Sequence, residues 1–439
     1  MGMKTNIGSE GIHDARQLGL PKMLILGLQH AFAMFGATVL VPLLTGLSVS
    51  TTLLMAGLGT LFFHLVTKGK VPAFLGSSFA FLGGYAAIAP MLADNVPNKE
   101  MLPYACLGVA AAGLVYLILS ALFKVFGVNK IMRFFPPVVT APIIIAIGLT
   151  LAPSAITNCQ QNWILAVIAL GTIIVCNIWG KGMVKIIPII IAIVVSYIVA
   201  IFMGEINFTA VKEAAWFGLP LDSKAFAFNA FQNSSMAITA IIAIVPISLA
   251  TMMEHIGDIS AISATCNRNF LADPGLHRTL LGDGVATTLA SLFGGPANTT
   301  YGENTGVLAL TKVYDPKVIR IAACVAVVLS FSPKVAAIIS TIPYAIIGGI
   351  SLILYGMISG IGLRSVVENK VDFTKSRNLI IVAVILVTAL GFADTGFTFH
   401  IGSVSITLTG LAIAAILGIV LNAAIPGNDY VFMSEENKD

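Results

Sequence analysis

Four carboxylates lie inside long apolar stretches of the sequence: Glu254, Asp258, Asp283 and Glu303. Burying a charge in a membrane is costly, so a carboxylate that is kept there is a candidate for function. Glu254 ends a long run without charged residues, and Asp258 lies one helical turn further on the same face. Two carboxylates this close in a medium of low dielectric cannot both ionise cheaply, so one is expected to keep its proton. Together with the neighbouring His255, they are predicted to take up and release a proton.

Glu303 follows Tyr301 and Gly302 at the expected start of a short helix. Glycine lets a ligand approach the backbone closely, and free N–H groups at a helix start attract carbonyl oxygens or anions. The alternative for Glu303 is a plain capping carboxylate, and for Asp258 it is contact with water at the cytoplasmic end of its helix. Asp283, in a Gly-Asp-Gly sequence, is expected to have a structural role.

The groups named so far suit a small planar ligand that is polar but uncharged. Carboxylates accept hydrogen bonds from the N–H groups of such a ligand, and helix-start N–H groups donate to its carbonyl oxygens. The side chains of Phe79, Tyr301 and Tyr355 are candidates to stack on the ring or to form its walls. Gln29 and His30 either line the same cavity or bond a neighbouring helix, and the sequence leaves both interpretations open.

Composition places these residues in a membrane protein. Of 439 residues, 57% are hydrophobic and only 10% are charged, whereas a soluble domain carries about 25% charged residues. The stretches 23–67 and 134–180 contain no Asp, Glu, Lys or Arg, and each is long enough for two spans of about 20 residues. They lack the polar–apolar alternation of a barrel strand, so an all-α polytopic membrane protein is predicted.

Other classes of protein are disfavoured by what the sequence lacks. The five cysteines are scattered and form no CxxC pair, so no metal site, redox site or cofactor is expected. No basic cluster is interleaved with aromatic residues, which argues against a nucleic-acid partner. There is no nucleophile–base pair or metal triad, so the chain is not expected to be an enzyme.

Fourteen membrane segments are predicted, in two sets of seven separated by a more polar stretch at 204–235. The first set is 23–44, 51–66, 74–92, 102–126, 134–151, 163–179 and 183–202, and the second is 236–262, 280–293, 297–310, 318–331, 335–358, 379–392 and 404–421. With both termini in the cytoplasm, 20 of the 24 Lys and Arg residues fall in inside loops. This bias is the one that the positive-inside rule predicts for an inner-membrane protein.

Two sets of seven segments predict two repeats of opposite orientation, at 21–203 and 236–425, with tails at 1–20 and 426–439. Inverted repeats are typical of transporters, whose sites lie where broken helices meet. Segments three and ten are unusually rich in Gly, Ser and Thr, with GSSFAFLGG at 76–84 and GGPANTTYG at 294–302. Each is predicted to run as an extended stretch into a half-helix; close helix packing through small residues is the alternative.

Several longer strings carry a resemblance to a known family. They are QHAFAMFGAT at 29–38, PAFLGSSFAF at 72–81, EHIG at 254–257, DPGLHR at 273–278 and NTTYGENTG at 298–306, followed by Thr311-Lys312. In this order and over nearly the whole chain, they resemble the nucleobase–ascorbate transporter family, and within it the bacterial branch that carries uracil. The resemblance implies proton-coupled import of uracil, with xanthine or urate, or an anion carried or conducted on the same repeat plan, as alternatives.

The resemblance also implies that the segments form two domains. A core domain would comprise 21–126 and 236–331, a gate domain 127–203 and 332–425, and short antiparallel strands in segments three and ten would cross near the substrate. A homodimer through the gate domain is a further expectation.

By the same resemblance, particular residues take roles at the site. Glu254 and Glu303 would bind uracil through their side chains; Phe79, Gly302 and Glu303 would offer backbone amides; and Ala37, Tyr301 and Tyr355 would lie nearby. Glutamate at 303 favours uracil, because the purine-specific branch usually has glutamine there.

One departure concerns the proton. The best-known uracil permease has histidine at the position of Asp258. The proton path is therefore left open between His255, the Glu254–Asp258 pair and a different coupling ion.

Overall fold

The computed structural model describes residues 11–92, 96–393, 395–401 and 404–427, without the side chains of 128, 129, 303 and 401–406. The helices of the first half are α1 Leu20–Thr45, α2 Val49–Val66, α3 Leu82–Ile88, α4 Leu102–Phe126, α5 Val128–Met132, α6 Pro137–Gln160, α7 Trp163–Ile178, α8 Met183–Ile186, α9 Pro188–Phe202 and α10 Thr209–Glu213. Those of the second half are α11 Ser234–Ile244, α12 Ile247–Cys266, α13 Leu276–Leu292, α14 Glu303–Thr311, α15 Pro316–Ser330, α16 Pro333–Ser340, α17 Tyr344–Glu368, α18 Ser376–Gly391 and α19 Gly410–Ala424. The described residues also form four short strands: β1 Leu75–Ser77, β2 Asn298–Thr300, β3 Phe397–Ile401 and β4 Val404–Leu408.

Local sequence sets many of the helix ends. Ser48 caps α2 by accepting the Thr51 N–H at 3.2 Å, and Asn162 caps α7 by accepting the N–H groups of residues 164 and 165. Gly46 ends α1 in the left-handed conformation, at φ 80°. Such caps satisfy backbone groups that the helix itself leaves open, which matters most in an apolar surrounding.

Several helices have the length and composition of membrane spans. Within the described residues, six spans qualify: α1, α2, α4, α6, α17, and α11 with α12 taken together. A seventh qualifies if α15 and α16, which are bent by 88° at their junction, are counted as one. The helices α7, α9, α18 and α19 are apolar but shorter, at 15 or 16 residues.

The helices associate in two groups. In one group, α13 packs along α4 and α2, and α15 packs along α2 and α1. In the other, α17 packs along α6 and α7, and α18 packs along α6 and α19. Small residues permit the closest crossings: a side chain at Gly113 of α4 would collide with Thr288 of α13, and one at Gly148 of α6 would collide with Ser359 of α17. The helix α12 contacts both groups.

The strands β1 and β2 pair antiparallel in the first helix group, with Leu75 opposite Thr300 and Ser77 opposite Asn298. They occupy the two stretches of predicted segments three and ten that are rich in Gly, Ser and Thr. The helical parts of those segments are only α3 and α14. Both helices are shorter than the ranges 74–92 and 297–310 that hydropathy predicted.

A threonine from a neighbouring helix secures the first residue of each strand. Thr60 of α2 accepts the Leu75 N–H at 2.9 Å and donates to the Leu75 carbonyl at 3.2 Å. Thr287 of α13 accepts the Asn298 N–H at 3.2 Å and donates to the Asn298 carbonyl at 2.7 Å. In each half of the chain, a threonine hydroxyl thus hydrogen-bonds strand N–H and C=O groups that lipid could not satisfy. This correspondence relates the two halves as repeats.

Two predicted segments were partly wrong. The segment expected at 335–358 is divided, because Pro343 separates α16 from α17, and α17 continues to Glu368. The segment expected at 404–421 begins with strand β4, which pairs antiparallel with β3, and only 410–424 is helical. The fold is therefore mainly helical rather than all-α. The hairpin was missed because the segment was placed by its overall hydropathy, without regard to the apolar–polar alternation of FTFHI and VSITL.

Candidate functional site

Two short helices begin at the strand pair. Phe79 lies between β1 and α3, and Gly302 lies between β2 and α14. Because β1 and β2 are antiparallel, they lead into their helices at opposite ends of the pair. The first-turn N–H groups of α3 and α14 have no partner within their own helix and carry the positive end of its dipole. The arrangement is therefore suited to carbonyl oxygens or other electron-rich groups.

The helix α12 lies against this region and carries the carboxylates. Glu254 and Asp258 are half-buried and lie one turn apart. The Asp258 Oδ1 lies 3.1 Å from the position that a Cβ on Gly302 would occupy. The structure thus places the Asp258 carboxylate beside the backbone at the start of α14, where hydrogen-bond acceptors and backbone donors of the site are close together.

Glu303 is the first residue of α14, which agrees with its expected position at a helix start. Its side chain lies outside the described part of the chain. Only the backbone of Glu303 is therefore placed, next to Gly302 and close to α12.

His255 points away from the Glu254–Asp258 face and is buried against α13 and β2. Its Nδ1 lies 2.8 Å from the Asp283 Oδ2, and both side chains are fully buried. A carboxylate only accepts hydrogen bonds, so the Nδ1 carries the donated proton. The Nε2 is also buried, without a hydrogen-bonding partner among the described residues.

Asp283 also holds the end of β2. Its carboxylate accepts the Thr300 N–H at 3.2 Å and the Thr300 hydroxyl at 3.1 Å. The structural role expected for Asp283 is confirmed by these contacts, because they fix the last residue of β2 two positions before Gly302. Sequence reasoning missed Thr300; its position in the polar run NTT, next to the half-helix, was the available signal.

Tyr301 lies behind the strand pair, with only 4% of its surface exposed. Its hydroxyl donates to the Ser77 carbonyl at 2.9 Å and accepts from the Thr38 hydroxyl at 3.3 Å. Its ring covers Gly76, where a side chain would collide with it. Tyr301 therefore joins α1 to both strands, which gives it a role in positioning the strand pair in addition to the predicted proximity to a ligand.

A second contact joins α14 to α1. The Asn304 Nδ2 donates to the His30 Nδ1 at 3.1 Å, and both residues are buried. Of the two alternatives for His30, the structure thus shows a bond to a neighbouring helix. The Gln29 Oε1 is buried and has no hydrogen-bonding partner among the described residues. Asn304 was not singled out from the sequence, although it follows Glu303 directly.

The remaining candidates are distributed over both helix groups. Ala37 is buried in α1, next to Thr38, and Phe79 is buried after β1. Tyr355 is buried in α17, where that helix crosses α6. Within the described residues, no group of three or more His, Cys, Asp or Glu side chains is arranged to hold a metal ion.

Comparison with known proteins extends this picture. A profile described as "Permease family", for xanthine and uracil permeases, matches residues 21–397. The uracil permease of Bacillus caldolyticus is 41% identical over 97% of this chain and 97% of its own length. The uracil permease of Bacillus subtilis is 41% identical over 91% of each chain, and that of Escherichia coli K12 is 37% identical over 90% of each.

Solved structures share the fold. The transmembrane domain of the cyanobacterial bicarbonate transporter BicA superposes with a TM-score of 0.63 at 17% identity, covering 94% of this chain and 99% of that one. SLC26A9 superposes with a TM-score of 0.64 at 12% identity, covering 94% of this chain and 66% of that one. At such low identity these matches define the fold alone. With its apolar helices and its match to permeases, the chain is a multi-pass membrane protein of the permease class, and it shares the fold of these structures.

The chain belongs to the nucleobase–ascorbate transporter family, as its match to the permease profile over 21–397 and its relatives at 37–41% identity show.

Proposed function

We propose that this protein imports uracil across the inner membrane by proton symport. One structural observation carries the proposal: the Asp258 carboxylate, one turn from Glu254, lies beside Gly302 at the start of a half-helix. Uracil has two N–H donors and two carbonyl acceptors, so it needs both kinds of partner in one place. Two relatives at 41% identity are named uracil permeases, which agrees with this substrate.

The proposed binding mode uses groups from three elements. Glu254 and Glu303 accept the two N–H groups of uracil. The backbone amides of Phe79, Gly302 and Glu303 donate to its carbonyl oxygens. Ala37, Tyr301 and Tyr355 form the walls around the ring. A hydrogen-bonded substrate of this kind is discriminated well, because an analogue that lacks one donor leaves a buried polar group of the site unpaired.

The proposed proton carrier is the acidic face of α12. Glu254 or Asp258 takes a proton from the outside, which lowers the cost of holding two carboxylates together, and Glu303 shares the same site. His255 is the second candidate, since its Nε2 is buried and carries the free lone pair of the imidazole. Uracil and the proton then enter together, and the site opens to the cytoplasm when both have bound.

The proposed architecture has fourteen segments in two inverted repeats, with both termini in the cytoplasm. The core domain, 21–126 and 236–331, holds the strand pair, and the gate domain, 127–203 and 332–425, forms the other wall and a homodimer contact. The two helix groups support this division, since α1, α2, α4, α13 and α15 pack together and α6, α7, α17, α18 and α19 pack together. Movement of one group against the other would carry the site across the membrane.

Uptake into proteoliposomes tests the function. With an acidic outside, labelled uracil should accumulate, an uncoupler should abolish accumulation, and Glu254→Gln and Glu303→Gln should each abolish uptake. Glu213→Gln, in the exposed helix α10, is the matched control and should transport normally. Normal uptake in both site variants would refute the assigned roles.

Two further measurements separate the alternatives. Accumulated label should be recovered as unchanged uracil, because a chemical change would contradict a carrier. Xanthine, urate and simple anions are then tested as competitors at two pH values. Strong competition by xanthine would assign a purine substrate, and strong competition by bicarbonate or chloride would assign anion transport.

A further inference from the structure

An apolar cavity of about 280 Å³ lies between α1, α9 and α16, away from the carboxylates of α12. Its walls include Phe35 and Val39 of α1, Tyr197 of α9, and Ile339 of α16. Every residue that lines it is aliphatic or aromatic. Its volume is close to the lower end of the range of about 300–1,000 Å³ found for small-molecule sites.

The cavity offers no hydrogen bond to an occupant. The hydroxyl of Tyr197 is engaged with the Thr341 Oγ1 at 2.5 Å, and no other lining side chain carries a polar atom. A nucleobase or a water molecule placed there would lose its hydrogen bonds without compensation. The chemistry of the walls therefore selects a hydrocarbon.

The cavity opens towards the bilayer. Val194 and Ile198 on α9 and Ile338 on α16 belong to its lining, and about half of each side chain is exposed. On a membrane protein, exposed aliphatic side chains of this kind contact acyl chains. The surrounding hydrocarbon therefore has direct access to the cavity.

A cation lies at the start of α16, next to the lining residue Val335. The Lys334 ammonium is 5.0 Å from the centre of the Trp216 ring, and Trp216 is exposed. Tryptophan and lysine together are typical of the depth at which lipid headgroups lie. Among the described residues, Lys334 forms no ion pair with a carboxylate, so its charge is available to a phosphate.

We propose that this cavity binds one acyl chain of a bilayer phospholipid whose phosphate pairs with Lys334. Within a membrane, the acyl chain gains little from leaving other acyl chains. The gain comes from dispersion contacts with walls that would otherwise face a void and from the charge-assisted contact to the phosphate. The bound chain would fill the space between α1, in one helix group, and α9 and α16.

The test uses full-length protein in vesicles that contain phosphatidylglycerol with a photoreactive diazirine in one acyl chain. After illumination and digestion, mass spectrometry locates the adducts. Bulk lipid labels exposed residues such as Val194 in any case. The informative adducts are those on the lining residues Phe35 and Val39 of α1, because Val39 is fully buried and Phe35 is only partly exposed.

Filling the cavity should remove those adducts. Ile339→Trp, and the milder Ile342→Phe, should reduce labelling at Phe35 and Val39 by about ten-fold, equivalent to about 1.4 kcal/mol. Val387→Trp, on the exposed face of α18, is the matched control and should leave labelling unchanged.

The headgroup is tested separately. Lys334→Gln should lower the amount of phosphatidylglycerol that remains bound after purification, as counted by native mass spectrometry. Labelling confined to exposed residues, or unchanged by both cavity-filling variants, would overturn the site, and unchanged lipid retention in Lys334→Gln would overturn the phosphate contact. Because these measurements do not involve uracil, their outcome tests the lipid site independently of the proposed transport function.

Discussion

The contact between Asp258 and Gly302 leads to a specific prediction for Gly302→Ala. Gly302 has φ −65° and ψ −30°, so alanine adopts this backbone without strain. The new Cβ would lie 3.1 Å from the Asp258 Oδ1 and 3.9 Å from its carboxyl carbon. The carboxylate must therefore move by only a few tenths of an ångström to restore an ordinary contact. We expect the unfolding free energy to fall by less than about 1 kcal/mol, because Gly302 is the N-cap of α14, where alanine is less favourable than glycine.

Binding should respond much more strongly than stability. The Cβ occupies the space through which a ligand would reach the backbone N–H groups at the start of α14. Loss of one well-made hydrogen bond in a buried site costs about 1–3 kcal/mol, which corresponds to a decrease in uracil affinity of about 5- to 150-fold. Isothermal titration of uracil into purified protein, together with thermal unfolding of the same samples, measures both quantities.

The matched control for this experiment lies one turn further along α14. A Cβ on Gly306 would meet nothing within 4 Å, so Gly306→Ala should leave both uracil affinity and stability nearly unchanged. Affinity that stays within about two-fold of wild type in Gly302→Ala, a difference below about 0.5 kcal/mol, would refute the reasoning. An equal loss of affinity in both variants would refute it as well.

Three further predictions concern stability. Asp283→Ala removes the buried acceptor of both the Thr300 N–H and the Thr300 hydroxyl, and it leaves the His255 Nδ1 with only the Thr300 Oγ1 as a partner. We expect a loss of about 2–6 kcal/mol in unfolding free energy, from about 1–3 kcal/mol for each of the two unpaired donors, and a loss below about 1 kcal/mol in chemical denaturation would contradict this network. Tyr301→Phe removes the donor to a buried carbonyl of β1 and should cost about 1 kcal/mol in the same assay, whereas reduced uracil affinity at unchanged stability would show that the hydroxyl contacts the substrate. Hydrogen bonding from Lys70 holds the pKa of Asp273 below its ordinary value. This ion pair therefore stabilises the fold fully at any pH above the ordinary carboxylate pKa of about 4. The stabilisation is lost as the pH falls through the lowered pKa. Lys70→Gln should therefore flatten the acid side of a melting-temperature profile at low salt, and an unchanged profile would exclude any contribution from this exposed pair.

The helical scaffold could be predicted because its causes are local. Long charge-free stretches require helices in lipid, and the predicted segments at 51–66, 102–126 and 163–179 agree with α2, α4 and α7 to within a few residues. The broken segments were also visible, because GSSFAFLGG and GGPANTTYG do not suit a lipid-facing helix. The hairpin of β3 and β4 had a local signal too: FTFHI and VSITL both alternate between apolar and polar residues.

The side-chain contacts could not be predicted in the same way. Helical spacing puts Glu254 and Asp258 on one face, but it does not say what that face meets. The packing of α12 against α14 decides that Asp258 lies beside Gly302. The same packing turns His255 to Asp283, 28 residues later in the chain.

The sequence by itself determined that this chain lies in a membrane, where its helices break, and which residue types are available at the breaks. These features follow from hydropathy, from backbone preferences and from the cost of burying charge, all of which act over a few residues. Only the tertiary structure decided which carboxylate meets the half-helix, which one secures the strand, and that a cavity remains between α1, α9 and α16. Those outcomes depend on how helices distant in sequence cross, and the crossings are set by close contacts at small residues such as Gly113 and Gly148.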